Sequence, residues 1–403
     1  MRKSLKGVTI VLLLVAMYGC CRTRSCIEPG YAGPSTRWFA ASVHPVRTQT
    51  GTLWSESIRE AVRQAGMKPL NILVLSGGGQ NGAFGAGFLN GLNERNDSQD
   101  LKFDIVTGIS TGALQATFAF LGPKYYDKLK EAYTTVTKED VFRNRCLFGL
   151  LCASSLKDTA PLRSLVEKYI TADVLHQVAE AHEAGRRLYI GTVNLDTGEF
   201  LTWNMGSIAE KGNEEALQLY RNVLMAATSV PVLFPPVLAR QENHSVPIPQ
   251  GLHTDGGVRQ IVFFRQFMID VIKAEEEELA RSTPEKPIAR LHEATMSVIV
   301  NGKVGLGYEC TQERWASVGL RSLSAMLDES SINALFRAYV LARKNAISFR
   351  MIRIPDDVEI DSNSEEFNPE TMKRLFEAGR SLAKIEPIPW ETKPPTAEDL
   401  DAL

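Results

Sequence analysis

Three stretches of this chain hold residues whose types and spacing could cleave an ester: SGGGQNGAF from residue 76, FDIVTGISTGAL from residue 103, and LHTDGGVRQ from residue 252. Ser110, at the centre of the second, could attack a carbonyl once something takes its proton. Gly108 and Gly112 remove side chains from a sharp strand-to-helix turn, so that Ser110 would project from it. Gly77, Gly78 and Gly79 can present bare N–H groups toward one point, which a developing tetrahedral oxyanion needs. Asp255 is the candidate base. A carboxylate with a pKa of about 4 is a poor base in water, but burial against Leu252, Val258 and the PVLFPPV segment would raise it into a working range. Taken singly, each feature has a plainer meaning: close helix–strand packing for the glycines, an N-cap hydroxyl for Ser110, an ordinary Asp-Gly turn for Asp255.

The elements that must position these residues are visible in the hydrophobic pattern. NILVL (from residue 71) runs straight into the glycine run, and FDIVT runs into the Ser110 turn. If these are adjacent parallel strands they end at the same edge of a sheet, and the donors and the hydroxyl emerge side by side. TGALQATFAFLG after Ser110 is almost wholly apolar, hence a buried helix whose N-terminal dipole points at the serine. Further β-rich runs, LYIGTV at 188, SVIVN at 297 and FRMIRI at 349, alternate with helical patterns. That alternation predicts an α/β fold with a mainly parallel sheet covered by helices. Asn368-Pro369-Glu370 supplies an N-cap, a first-turn proline and an acid to a helix carrying Met372, Leu375, Phe376, Leu382 and Ala383.

Other chemistries meet obstacles. Gly77-x-Gly79-x-x-Gly82 after a strand fits a dinucleotide fingerprint, but its acidic partner should close the second strand, whereas Asp104 opens it. A serine–histidine–acid triad with His292 as base needs several strands ahead of the nucleophile turn, and only NILVL precedes FDIVT. His253 could orient Asp255. The six histidines are scattered and no cysteine pair has C-x-x-C spacing, so a zinc site is not expected. A net charge of −2 offers no basic field for nucleic acid.

The N-terminus reads as an address. Cations precede an apolar run ending at Gly19-Cys20 that is too short to span a bilayer, so residues 1–19 are expected to be an export signal. Cys20 resembles the lipidated cysteine of bacterial lipoproteins, so the protein is expected at the bacterial cell envelope, lipid-anchored through Cys20, with ordinary signal cleavage nearby as the plainer reading. Residues 20–68 read as a tether and lead-in segment, 69–395 as one catalytic domain, and 396–403 as a disordered acidic tail. Cys146 and Cys152 could pair across the loop CLFGLLC, an apolar stretch that could also dip into lipid.

Taken in order and spacing, SGGGQNGAF, GISTG, NLDTGE, AATSVPVLFPP and HTDGG resemble the patatin-like phospholipases, and FNPETMKRLFEAG and PWETKPP look like their bacterial secreted members. The resemblance covers roughly residues 70–395. It implies a three-layer α/β/α fold and a lipid acyl hydrolase of phospholipase A or lysophospholipase type, acting on membrane phospholipid or another lipid ester. It also implies Ser110 as nucleophile, Asp255 as base, the amides around Gly78 and Gly79 as oxyanion hole, and no metal ion or other cofactor. A lipid-binding scaffold of the same fold without activity is the first alternative, a dinucleotide-binding oxidoreductase the more remote one, and the oligomeric state is open. The family's glycine loop usually carries Arg or Lys where this chain has Asn81; a cation there would be expected to steer anionic lipid.

Overall fold

The computed structural model describes residues 69–95, 102–145, 153–239, 250–265, 268–270, 272–273, 294–304, 311–361 and 364–395. The proposed export signal, Cys20, the lead-in segment, the CLFGLLC loop with Cys146 and Cys152, Cys310, His292 and the acidic tail lie outside these residues.

The strands in chain order are β1 (Asn71–Leu75), β2 (Ile105–Gly108), β3 (Arg143–Asn144), β4 (Lys157–Asp158), β5 (Arg187–Asn194), β6 (Phe200–Asn204), β7 (Val237–Ala239), β8 (Gly251–Asp255), β9 (Thr295–Val300) and β10 (Ser348–Arg353). The helices are α1 (Gly82–Asn93), α2 (Thr111–Leu121), α3 (Tyr126–Thr134), α4 (Lys138–Val141), α5 (Ala160–Tyr169), α6 (Ala172–Glu183), α7 (Met205–Ala209), α8 (Glu214–Ala227), α9 (Trp315–Lys344) and α10 (Pro369–Ala383).

The main sheet runs β10-β9-β1-β2-β5-β8-β7, with β6 also paired to β5. From β10 to β5 every pairing is parallel; β6, β7 and β8 are added antiparallel. The apolar runs read as strands are this parallel part. Because side chains alternate across a strand, Leu73 and Leu75 enter one core with α1, α2 and α10, while Ile72 and Val74 enter a second with α9, Met268, Ile269 and Ile272. Both faces of the sheet are thus covered by helices, and β1 lies at the centre of its five parallel strands.

Two close approaches fix the layer over β1. A Cβ on Gly87 would stand 1.9 Å from the carbonyl oxygen of Phe376, and one on Gly379 2.1 Å from that of Phe84, so α1 and α10 touch backbone to backbone. Helix α10 starts as its sequence predicts: the Asn368 side chain accepts from the Glu370 N–H at 3.0 Å, Pro369 holds the first turn, and Met372, Leu375, Phe376 and Ala383 are buried.

Candidate active site

Ser110 stands two residues beyond the end of β2, at the N-cap position of α2, with φ 52° and ψ −127°, a conformation that non-glycine residues adopt only when the surroundings impose it. The imposition comes from its glycines. A Cβ on Gly112 would lie 2.5 Å from the Ser76 carbonyl oxygen, and one on Gly108 2.5 Å from that of Gly112, so the turn is drawn tightly onto β1. The Ser110 side chain makes no capping hydrogen bond to α2. Its hydroxyl is held out of the helix-capping role and turned into the site at the positive end of the helix dipole.

Asp255 ends β8 and is only 3 % exposed. Its N–H donates to the Ser229 carbonyl at 3.0 Å, so the AATSVP segment sets its position. Oδ1 accepts the Gly257 N–H at 2.7 Å and caps the turn Gly256–Val258. The plain Asp-Gly turn is therefore real, but it uses only one oxygen. Oδ2 is buried without a hydrogen-bond partner. Burial pushes the carboxyl up to about 7, against opposing effects of the Ser110 hydroxyl and the Gly257 amide. The hydroxyl is thus close, yet no hydrogen bond of ordinary geometry is formed with Oδ2, a looseness common where the contact tightens only on the way to the transition state. The apolar cover differs from the expected one: Val258 is 38 % exposed, whereas Ile109 packs on the Gly256–Gly257 backbone.

The glycine loop follows β1 alongside. A Cβ on Gly77 would be 3.1 Å from the Ser110 Cβ, which places the loop against the serine. The loop's expected donors need one correction. Gly77 N–H already donates to the Ile261 carbonyl at 3.1 Å and cannot serve an oxyanion. Gly78, with φ 149°, and Gly79, with φ 55°, have amides with no acceptor among the described residues, and they are the donors that remain.

Several residues that hold this loop carried no signal in the sequence. Asn301, beyond β9, donates from Nδ2 to the Ser76 carbonyl (2.9 Å) and the Gln115 Oε1 (3.2 Å); its Oδ1 accepts the Gly85 N–H (3.1 Å) and its own N–H donates to the Ser76 hydroxyl (2.7 Å). Gln80 is fully buried: its N–H donates to the Ser364 carbonyl (2.8 Å), its Nε2 to Asp361 (3.0 Å), and its Oε1 accepts the Asn368 N–H (2.7 Å). Asn81 is 6 % exposed with Oδ1 unbonded, so it lies too deep to steer a lipid from solution.

Asp104 lies at the far edge of the sheet, where its Oδ2 accepts the Asn71 N–H at 2.8 Å, away from the glycine loop. His253 is buried, with its ring 5.5 Å from that of Trp203 and Nδ1 3.5 Å from the Thr192 hydroxyl. Among the described residues, no group of three or more His, Cys, Asp or Glu side chains could hold a metal ion, and no helix is long and apolar enough to cross a membrane.

From Ser110 a cavity of about 850 Å³, counting its open mouth, runs under α2. Leu114 and Phe118 form one wall at helical spacing, Leu162, Val166, Tyr169 and Ile170 another, and Phe367 and Met372 close it. The lining is almost wholly apolar, with Gly79 and Thr111 at the serine end.

A strained serine at a strand-to-helix turn, a buried carboxyl beside it, free amides on a neighbouring loop and an apolar cavity define the α/β acyl-hydrolase class of site. Residues 73–268 match the family model of the patatin-like phospholipases, and the chain carries a domain of this lipid acyl hydrolase family. Among solved structures, the crystal structure of VipD from Legionella pneumophila is similar, with a TM-score of 0.39 and 13% identity over 78% of this chain. The chain spans 66% of that protein's length, just under two thirds. No curated protein matches the chain.

Proposed function

We propose that the protein hydrolyses fatty-acyl esters of phospholipids or lysophospholipids through a Ser110–Asp255 dyad and an acyl-enzyme. The observation that carries this reading is the unpartnered Asp255 Oδ2 buried beside a strained Ser110 that opens into an apolar cavity. Asp255 takes the hydroxyl proton as Ser110 Oγ attacks the carbonyl, and the Gly78 and Gly79 amides receive the oxyanion. The proton passes to the leaving alcohol, and Asp255 then activates a water that releases the fatty acid.

In the test, a fluorophosphonate labels Ser110, and mass spectrometry follows the fatty acids freed from a panel of defined phospholipids, lysophospholipids and neutral lipids. Labelling confined to Ser110, together with fatty-acid release that Ser110→Ala abolishes, is the expected result. Folded protein that neither labels nor releases fatty acid sinks the proposal and leaves the inactive lipid-binding scaffold.

The cavity makes a second expectation concrete. Leu114 and Phe118 lie about 6 Å and about 12 Å beyond Ser110 along the axis of α2. Leu114→Trp should block the path of a long acyl chain while leaving room at the serine. The expected change is a loss of at least ~10-fold in kcat/KM on palmitoyl esters with butyryl esters little affected. A parallel loss on both esters would place the acyl chain elsewhere.

A further inference from the structure

A second buried carboxyl stands at this site, and the mechanism above leaves it unused. Glu365 belongs to the segment between β10 and α10, beyond the span matched by the family model. The residue is half-buried as a whole, but its carboxyl turns inward: a Cβ on Gly79 would stand 2.6 Å from Glu365 Oε1 and 2.4 Å from the Ser364 carbonyl oxygen. Gly79 is one of the two loop residues whose amide is left for the oxyanion. The segment cannot swing away easily, because Gln80 ties its backbone at Ser364 and Asn368 and its side chain at Asp361.

A negative charge fixed against this loop opposes the charge that the loop must receive, and low-dielectric surroundings make the opposition strong. Burial first, and the charge of Asp255 second, push Glu365 up to about 7, against the opposing effect of the Ser364 hydroxyl, which donates to Oε1 at 3.4 Å. Asp255 is likewise raised to about 7, chiefly by burial. Two such carboxyls titrate as a pair, so that ionising one holds the proton on the other. Around them, Glu366, Glu370, Lys373 and Arg374 are solvent-exposed, and Arg374 turns Nη2 to the Glu359 carbonyl and the Thr371 hydroxyl. Asp361 accepts from Gln80 and Thr371, the Tyr133 hydroxyl is 2.6 Å from the Thr111 hydroxyl, and the His253 ring packs on Trp203.

We propose that Glu365 is the neutral partner of Asp255: protonated, it leaves the glycine loop free to receive the oxyanion, and once ionised it shuts the site. Turnover then needs one negative charge on the pair, held by Asp255. This rests on Ser110 and Asp255 doing the chemistry as proposed above.

The test is the pH profile of kcat/KM on a soluble butyryl ester for the wild-type protein and Glu365→Gln. The wild-type profile should be a bell, with an acid limb from Asp255 and an alkaline limb from Glu365. Glu365→Gln, which keeps the shape and cannot ionise, should keep the acid limb and lose the alkaline one, giving at least ~10-fold more activity than wild type at the alkaline end. A residue that only props up the loop would change the height of the profile and leave both limbs in place. An alkaline limb that persists unchanged in Glu365→Gln overturns the proposal. Should that variant not fold, the rate of fluorophosphonate labelling of wild-type Ser110 decides: it must decline on the alkaline side, and a rate that rises to a lasting plateau overturns the role of Glu365 while leaving Ser110 and Asp255 standing. Folded protein that labels at no pH removes the Ser110 reading and this one with it.

Discussion

Asp255→Asn should cost at least ~10² in kcat and yet make the protein more stable at neutral pH, the two effects having one cause. The carboxyl is buried with Oδ2 unbonded and its pKa raised to about 7. A buried carboxylate without a full set of donors is costly to form, and that cost would make it a base strong enough to take a serine proton, as proposed above. The sign follows from proton counts. Between the unfolded value of 3.8 and the folded value of about 7 the folded chain holds the proton more tightly, so wild-type stability declines as pH rises through that window and levels off above it. Asparagine removes the cost, on the order of a few kcal/mol at pH 8 and none below about pH 3. Thermal melts across that range should show the two proteins converging in acid and the variant melting higher in base. Kinetics of the wild type should show kcat/KM falling about tenfold per pH unit below about pH 7. Near-normal turnover in folded Asp255→Asn removes Asp255 as the base.

Gly78→Ala should be nearly as damaging for a different reason. With φ at 149°, an L side chain is strained before any contact is counted, and its Cβ would stand 1.9 Å from the backbone oxygen of Asn301. A backbone atom cannot rotate aside. The loop must instead move off Asn301, carrying the free amides of Gly78 and Gly79 away from the place where the oxyanion forms. Loss of such a donor costs ~10²–10³ in kcat, with a smaller effect on KM. Gly302→Ala is the local control: nothing lies within 4 Å of its added Cβ, and its φ is outside the left-handed region. That variant should keep its activity within a factor of a few. If Gly78→Ala folds and keeps its kcat, the glycine loop is not the oxyanion site.

The parallel strands were legible because buried strands read as short apolar runs, and Asn71–Leu75, Ile105–Gly108 and Thr295–Val300 do. The strand β8, which delivers Asp255, was not: GLHTD has the composition of a loop and becomes a strand only by pairing with β5 and β7. Ser110 and the glycines could be picked out because a tight turn restricts residue type locally. Asn301, Gln80 and Glu365 could not, because each acts on the glycine loop or is acted on from a place far along the chain, and an Asn, Gln or Glu carries no mark of that use. The Gly77 donor was misjudged for the same reason, since only the fold brings the Ile261 carbonyl to it.

The central place of β1 also sets an order of events during synthesis. One side of β1 pairs with β2, which emerges soon after it; the other pairs with β9 at Thr295–Val300, and the clamp on its loop is Asn301. Until those residues leave the ribosome, a strand of five apolar or amide residues has an open edge, the kind of surface on which nascent chains mispair. The nucleophile elbow can form early, but the donors that would make it reactive are seated only when the last third of the chain arrives. On the proposed mechanism, reactivity would thereby be the last property the growing chain acquires, and a chain released early should bury its serine in a fold unable to use it.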